Sequence, residues 1–309
     1  VTTGYVFDVV LAFSLIVLAV VTLRQRTPGE AVVQLMLFGL LLALSWVRID
    51  APDLALTEAT IGSGITGALL LASLRRLGIG RPFPPPAALG IRVLTTLGCA
   101  ALGLLLSHVI LKSWDQPAGL TDLAYQQLPY SGSQNPVTAV LLNYRAYDTL
   151  LEIAVLLVAA LSVYTLSGLA TGESVKVPGP IFCRHLRWMT PVFWLGVPYM
   201  IWIGGRAPGG VFQAGALLAG LGALTLLGPS PWPLRLRRRV VRWGLVFGFT
   251  LFLATAAWML QFGNLLAYPP DQANTWILLI EIACTLSIAI SLTVVFAGYV
   301  GWLHEEPKA

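Results

Sequence analysis

The chain has 309 residues, of which 57% are hydrophobic and only 11% charged, and its formal net charge is +5. Soluble domains carry about 25% charged residues, so an ordinary soluble enzyme, a disordered chain and a nucleic-acid-binding module are excluded, and no nucleic-acid partner is expected. In a membrane protein such a basic excess usually marks the cytoplasmic loops.

A bilayer core of about 30 Å needs roughly 20 apolar residues per helix. Nine stretches fit this need, at about 5–23, 31–47, 54–74, 90–111, 149–168, 187–204, 209–228, 240–260 and 275–298. They lack the apolar–polar alternation of barrel strands. The fold class expected is all-α: a polytopic membrane protein with about nine transmembrane helices. The first stretch carries Asp8, lacks a basic leader, and is followed by Arg24 and Arg26. It reads as a span rather than a cleaved signal peptide.

The third stretch follows Asp50-Ala-Pro-Asp53 and carries Thr57-Glu58-Ala59 and Gly62-Ser-Gly64. A carboxylate at that depth is costly, which makes Glu58 a functional candidate. The small residues after it permit close helix contact or a locally irregular turn. Residues 75–89 are Pro-rich and cannot continue a helix. The fourth stretch holds His108, read as an interfacial or packed histidine. The long loop 112–148 contains Asn135-Pro136-Val-Thr-Ala-Val-Leu-Leu, too short to span. It is expected to be an interfacial or re-entrant helix capped by Asn135, with Pro136 in its first position.

Tyr147-Asp148-Thr-Leu-Leu-Glu152 opens the fifth span with two carboxylates on one face, and Arg145 is placed to pair with Asp148. A second loop, 169–183, holds Gly and Pro. Arg206-Ala-Pro208-Gly209-Gly210-Val-Phe212 forms a tight turn between helices six and seven, where glycine supplies backbone freedom. The basic run Arg235–Arg239 reads as topogenic charge before a lipid-phosphate site. Glu281 stands alone about two turns into the last helix. Cys99, Cys183 and Cys284 show no metal or disulfide spacing, and no metal or other cofactor is expected. Tryptophans such as Trp46, Trp114, Trp188, Trp202 and Trp243 lie near helix ends, as an aromatic belt would place them.

With the N-terminus outside, 15 of the 19 Lys and Arg residues fall on the inner side, against four outside. The positive-inside rule therefore sets the N-terminus out and the C-terminus in. Asp8, Glu58, Glu152 and Glu281 then all sit within roughly 10 Å of the outer ends of their helices, at 1.5 Å per residue. Two readings follow: some of them line a hydrated outer half-path for H+ or Na+, or they are carboxylates favoured by helix N-termini. The second suits Asp8 and Glu152, the first Glu58 and Glu281. The loops divide the chain into 1–89, 90–178 and 179–309, holding three, two and four helices. No internal repeat and no catalytic motif is visible.

The segment Leu54–Leu74, with Thr57-Glu58-Ala59 and Gly62-x-Gly64, resembles MbhD of the Mrp-type multisubunit Na+/H+ antiporters. Pro136-Val-Thr-Ala-Val-Leu-Leu-Asn-Tyr-Arg145-Ala-Tyr-Asp148-Thr-Leu-Leu-Glu152 resembles MbhE, and residues from about 184 resemble MrpB. The first two belong to the C-terminal extension of MrpA. The chain departs from the pattern at Gly205, where MrpB carries histidine, at Val211, at Ala283 and at Asn143. The resemblance implies a non-catalytic subunit in a bacterial or archaeal cell membrane. It further implies exchange of Na+ and H+ across the lipid bilayer, and kinship with membrane-bound hydrogenase and complex I arms. The family's antiporter modules relay protons on helix-borne lysines. Here Lys112, Lys176 and Lys308 all lie outside the expected spans, so a Lys-bearing antiporter-like partner is expected. The alternatives are a membrane arm of a redox-driven ion pump and a scaffold subunit of another antiporter-derived system.

Overall fold

Local chemistry sets where the helices begin. In the computed structural model, Thr27 caps the second helix by accepting the Glu30 N–H at 3.3 Å, with Pro28 in the first turn. Asn135 does the same for a short helix, accepting the Val137 N–H at 2.9 Å, and Pro136 occupies its first position. Both proline sites cost no hydrogen bond, because the first helical N–H groups have no intrahelical partner. The structure describes residues 2–77, 88–113, 119–166, 179–228, 238–263 and 265–300.

The helices are α1 (Thr2–Leu23), α2 (Pro28–Arg48), α3 (Pro52–Thr57), α4 (Thr66–Leu77), α5 (Leu89–Ser113), α6 (Thr121–Gln127), α7 (Pro136–Ala139), α8 (Ala146–Leu166), α9 (Pro180–Gly204), α10 (Val211–Leu227), α11 (Arg238–Met259) and α12 (Ala273–Val300). A π-helical stretch, Glu58–Ile65, joins α3 to α4 into one rod, and a second, Val140–Tyr144, follows α7. Among the described residues these elements form nine long rods over the nine apolar stretches, and no strand is present. Seven rods are long and apolar enough to cross a membrane. The other two are α9, whose first turns carry Arg184, His185 and Arg187, and α10, which has 17 residues. The protein is a polytopic, all-α membrane protein.

The core is built around α12. Ile277, Ile280, Cys284 and Ile288 on α12 meet Phe252, Ala256 and Met259 of α11, Leu150 and Ile153 of α8, and Val211 of α10. Small residues bring the axes together: a methyl at Gly215 would stand 2.9 Å from the Ile288 Cβ, and one at Gly248 would stand 2.6 Å from the Ser287 Cβ. Such close approach is how membrane helices gain packing energy where lipid removes the hydrophobic drive. At the edge, α2 packs on α1 and on the α3–α4 rod, which in turn touches α10 and α12. By contrast, no residue of α5 is buried. Cys284 is packed, whereas Cys99, on α5, is exposed and has no packing role within this chain.

Candidate functional site

The turn between α9 and α10 gathers all three parts of the chain. Pro191 and Pro198 lie inside α9, and the Met200 carbonyl accepts the Gly210 N–H at 3.0 Å. Gly210 has φ +109°, which a side chain would strain, and a methyl at Gly209 would stand 2.8 Å from the Met200 oxygen. The Gly209 N–H donates to the Asp53 carboxylate at 3.2 Å, and Gln213 donates to the Thr57 hydroxyl at 3.0 Å. From the opposite side, Asn135 Nδ2 donates to the Gly204 and Ala207 carbonyls at 3.1 and 3.0 Å. Thr138 donates to Gly204 at 2.6 Å, and the Gln134 and Asn135 N–H groups both donate to the Gly205 carbonyl. Pro208, Gly209 and Gly210 lie in the connection between α9 and α10. Its hydrogen bonds to residues 53 and 133–138 could not be read from local sequence.

Glu58 opens the π-helical stretch and is half-buried where that stretch meets α2. A methyl at Gly62 would come within 2.8 Å of the Glu58 carboxyl carbon, and one at Gly39 within 3.1 Å of its Oε1. The two glycines therefore open the space that the carboxylate occupies. The neighbouring Ser63 hydroxyl is buried with no partner among the described residues. π-Helical turns occur mostly inside helices and often at functional positions, and here the small residues of the third span mark the place.

Glu281, on α12, is only 3% exposed, and its Oε1 is buried without a hydrogen bond among the described residues. It lines a cavity of about 460 Å3 whose walls come from residues 128–134, from residues 201–206 at the end of α9, and from the first two turns of α12. The loop can lie directly on α12 because Gly132 has φ +77° and no side chain: a methyl there would stand 2.6 Å from the Asn274 nitrogen. Gly205, the position of the family's histidine, also lines the cavity, and a methyl there would meet nothing within 4 Å. Arg206 is another lining residue, its guanidinium 5.3 Å over the Trp202 ring.

The remaining candidates have other surroundings. Asp8 is tied to Arg48 on α2 by two bonds of 2.7 and 3.1 Å. Asp148 pairs with Arg145 at 2.5 Å. Glu152 is on an exposed face of α8, and His108 and His185 are exposed. The structure thus sets Asp8, Glu58, Glu152 and Glu281 against different neighbours rather than around one cavity. Among the described residues, no three His, Cys, Asp or Glu side chains gather as a metal site. The connections 78–87 and 167–178, Lys176, Lys308, Trp114 and the start of the basic run, Arg235–Arg237, lie outside the described residues.

Three family models match successive parts of the chain: MbhD, the D subunit of MBH, over residues 13–78; MbhE, the E subunit of MBH, over 88–178; and MnhB, a "Domain related to MnhB subunit of Na+/H+ antiporter", over 181–300. The fold and these matches define a helical membrane polypeptide that fuses an MbhD, an MbhE and an MnhB-related segment. In this arrangement it is similar to subunits of Mrp-type antiporters. Among its relatives, the A/B subunit of a probable K+/H+ antiporter of Rhizobium meliloti is 29% identical over 71% of this chain and 25% of that protein. The A subunit of the Na+/H+ antiporter of Bacillus subtilis is 32% identical over 52% of this chain and 20% of that protein. The chain thus spans a quarter or less of the length of these relatives. Its fold matches a chain of the Mrp complex from Dietzia sp. DQ12-45-1b, with a TM-score of 0.76 at 21% identity, covering 97% of this chain and 35% of that one. It also matches a chain of an archaeal membrane-bound sulfane sulfur reductase, with a TM-score of 0.54 at 22% identity, covering 70% of this chain and 99% of that one.

Proposed function

We propose that the chain is a non-catalytic subunit of a multisubunit cation/proton antiporter, with its N-terminus outside and its C-terminus inside. In this reading residues 1–89, 90–178 and 179–309 are its three segments, and nine spans cross the membrane. It packs against other membrane subunits, among them a Lys-bearing antiporter-like partner, and contributes carboxylates to the path that exchanges Na+ or a similar cation for H+. The observation that carries the reading is the seat of Glu58, a membrane-depth carboxylate on a π-helical stretch that Gly39 and Gly62 hold open. A charge at that depth is retained at a cost when it serves an ion or proton path. The relatives' names, which describe the A and A/B subunits of antiporters, support the same reading. Asp8 and Asp148 neutralise Arg48 and Arg145 and hold helix ends, while Glu152 faces a neighbouring subunit. Pro208, Gly209 and Gly210 shape the hub turn that joins the segments.

The test is cation-driven proton movement in everted vesicles bearing the whole complex. Glu58→Gln is expected to lower the exchange rate roughly tenfold or more, as loss of a group essential to the step would. Undiminished exchange in Glu58→Gln and Glu281→Gln together overturns the carboxylate path. Proton movement that requires an electron donor instead of a cation gradient would favour the redox-driven alternative.

A further inference from the structure

We propose that the cavity at the 205–206 turn is a water-accessible binding site for a monovalent cation, proton or alkali-metal ion, with Glu281 as its acceptor group. This deepens the antiporter reading by adding a second carboxylate site, apart from Glu58, at the seam between the MbhE and MnhB-related segments. Glu281 is 3% exposed and its Oε1 meets no donor among the described residues. An unpaired carboxylate charge so deeply buried is strongly unfavourable. A proton or a bound cation must therefore neutralise it.

The cavity supplies the route. At about 460 Å3, against about 30 Å3 per water in the liquid, it has room for a partly hydrated ion. Gln134 and Asn274, which carry carboxamides, are among its lining residues, while the Ser133 hydroxyl there is engaged with the Asn135 and Gly205 carbonyls. Its other charged side chain, Arg206, stacks over the Trp202 ring and makes no ion pair with Glu281. Gly205 lines the cavity without a side chain. Its φ of −72° and ψ of −8° suit any residue, and its missing side chain would point into open space.

The experiment labels the whole complex in native membranes with a water-soluble carbodiimide. The carboxylic acid adds across a C=N bond, its proton passing to nitrogen, and an acyl shift leaves a stable N-acylurea that peptide mass spectrometry locates. Glu281 is expected to be labelled, and Gly205→Trp to lower that labelling by roughly fivefold or more by filling part of the cavity that Gly205 lines, since close-packed side chains leave little room for water. Gly103→Trp, in open space on α5, should leave it unchanged. If Gly205→Trp does not fold, Gly205→Cys capped with a bulky water-soluble thiol reagent fills the same space, with capped wild type as the control. Protection by Na+ but not choline at fixed pH identifies an alkali-metal occupant; loss of labelling with rising pH alone identifies the proton. An unlabelled Glu281, or labelling indifferent to both plugs, overturns the site. Labelling that behaves as expected in a complex without cation/proton exchange would leave the site standing while the antiporter reading fails.

Discussion

The Asn135 carboxamide joins two distant segments: Nδ2 donates to the Gly204 carbonyl at 3.1 Å while Oδ1 accepts the Val137 N–H. One side chain thus caps α7 and helps satisfy the last carbonyl of α9, which has no intrahelical donor. Asn135→Ala removes the cap and the donor to the Ala207 carbonyl, while Thr138 still serves Gly204, a loss of about 1–3 kcal/mol in all. A lower midpoint in thermal denaturation of the detergent-solubilised complex is the expected result, with Asn135→Asp intermediate because it keeps only the acceptor.

Glycine size sets a second expectation. Gly62→Ala would drive its methyl into the Glu58 carboxylate, whereas at Gly64 the methyl meets only the Ala59 carbonyl, at 3.2 Å. Gly62→Ala should reduce cation/proton exchange nearly as much as Glu58→Gln, and Gly64→Ala much less, both measured as vesicle proton movement at matched protein levels. Equal effects at 62 and 64 would remove the packing link to Glu58.

The hub turn makes a third case. Gly210 holds φ +109°, so Gly210→Ala should cost about 1–3 kcal/mol in backbone strain. Gly209→Ala should cost at least as much, because its methyl meets the Met200 oxygen at 2.8 Å and disturbs the bond to Asp53. Protease resistance of the assembled complex reads both variants, and both should release fragments cut near residues 205–210 sooner than wild type.

Asp8 provides the contrast. Its carboxylate is paired with Arg48 at 2.7 Å, and both side chains are more than 40% exposed. Asp8→Asn should leave exchange within roughly twofold of wild type, as exposed ion pairs contribute little. A loss as large as that of Glu58→Gln would return Asp8 to the ion path.

Much of this architecture is legible in the sequence because lipid requires long apolar runs and helices satisfy their own backbone. The nine stretches lie where the rods lie, the Asn135-Pro136 pair marks a helix start, and the Gly62-Ser-Gly64 run marks the irregular turn. Long-range pairing is not legible. Asp8 and Arg48 lie 40 residues apart, Asn135 and Gly204 lie 69 apart, and Asp53 and Gly209 lie 156 apart. No local period brings such residues together, so Asp8 reads as a free acid until its partner is in view. The burial of Glu281 likewise depends on a loop roughly 150 residues earlier in the chain, lying on α12 through the bare backbone of Gly132.

The seam that Asn135, Thr138 and Gly205 stitch has a consequence for inheritance and assembly. Because the wall from residues 128–134 and the acid at 281 are parts of one polypeptide, they are made in equal number and reach the membrane together. A frameshift between them removes the acceptor and leaves the wall without a counterpart. Separate genes for the two parts would need a matched rate of synthesis to achieve what the peptide bond here guarantees.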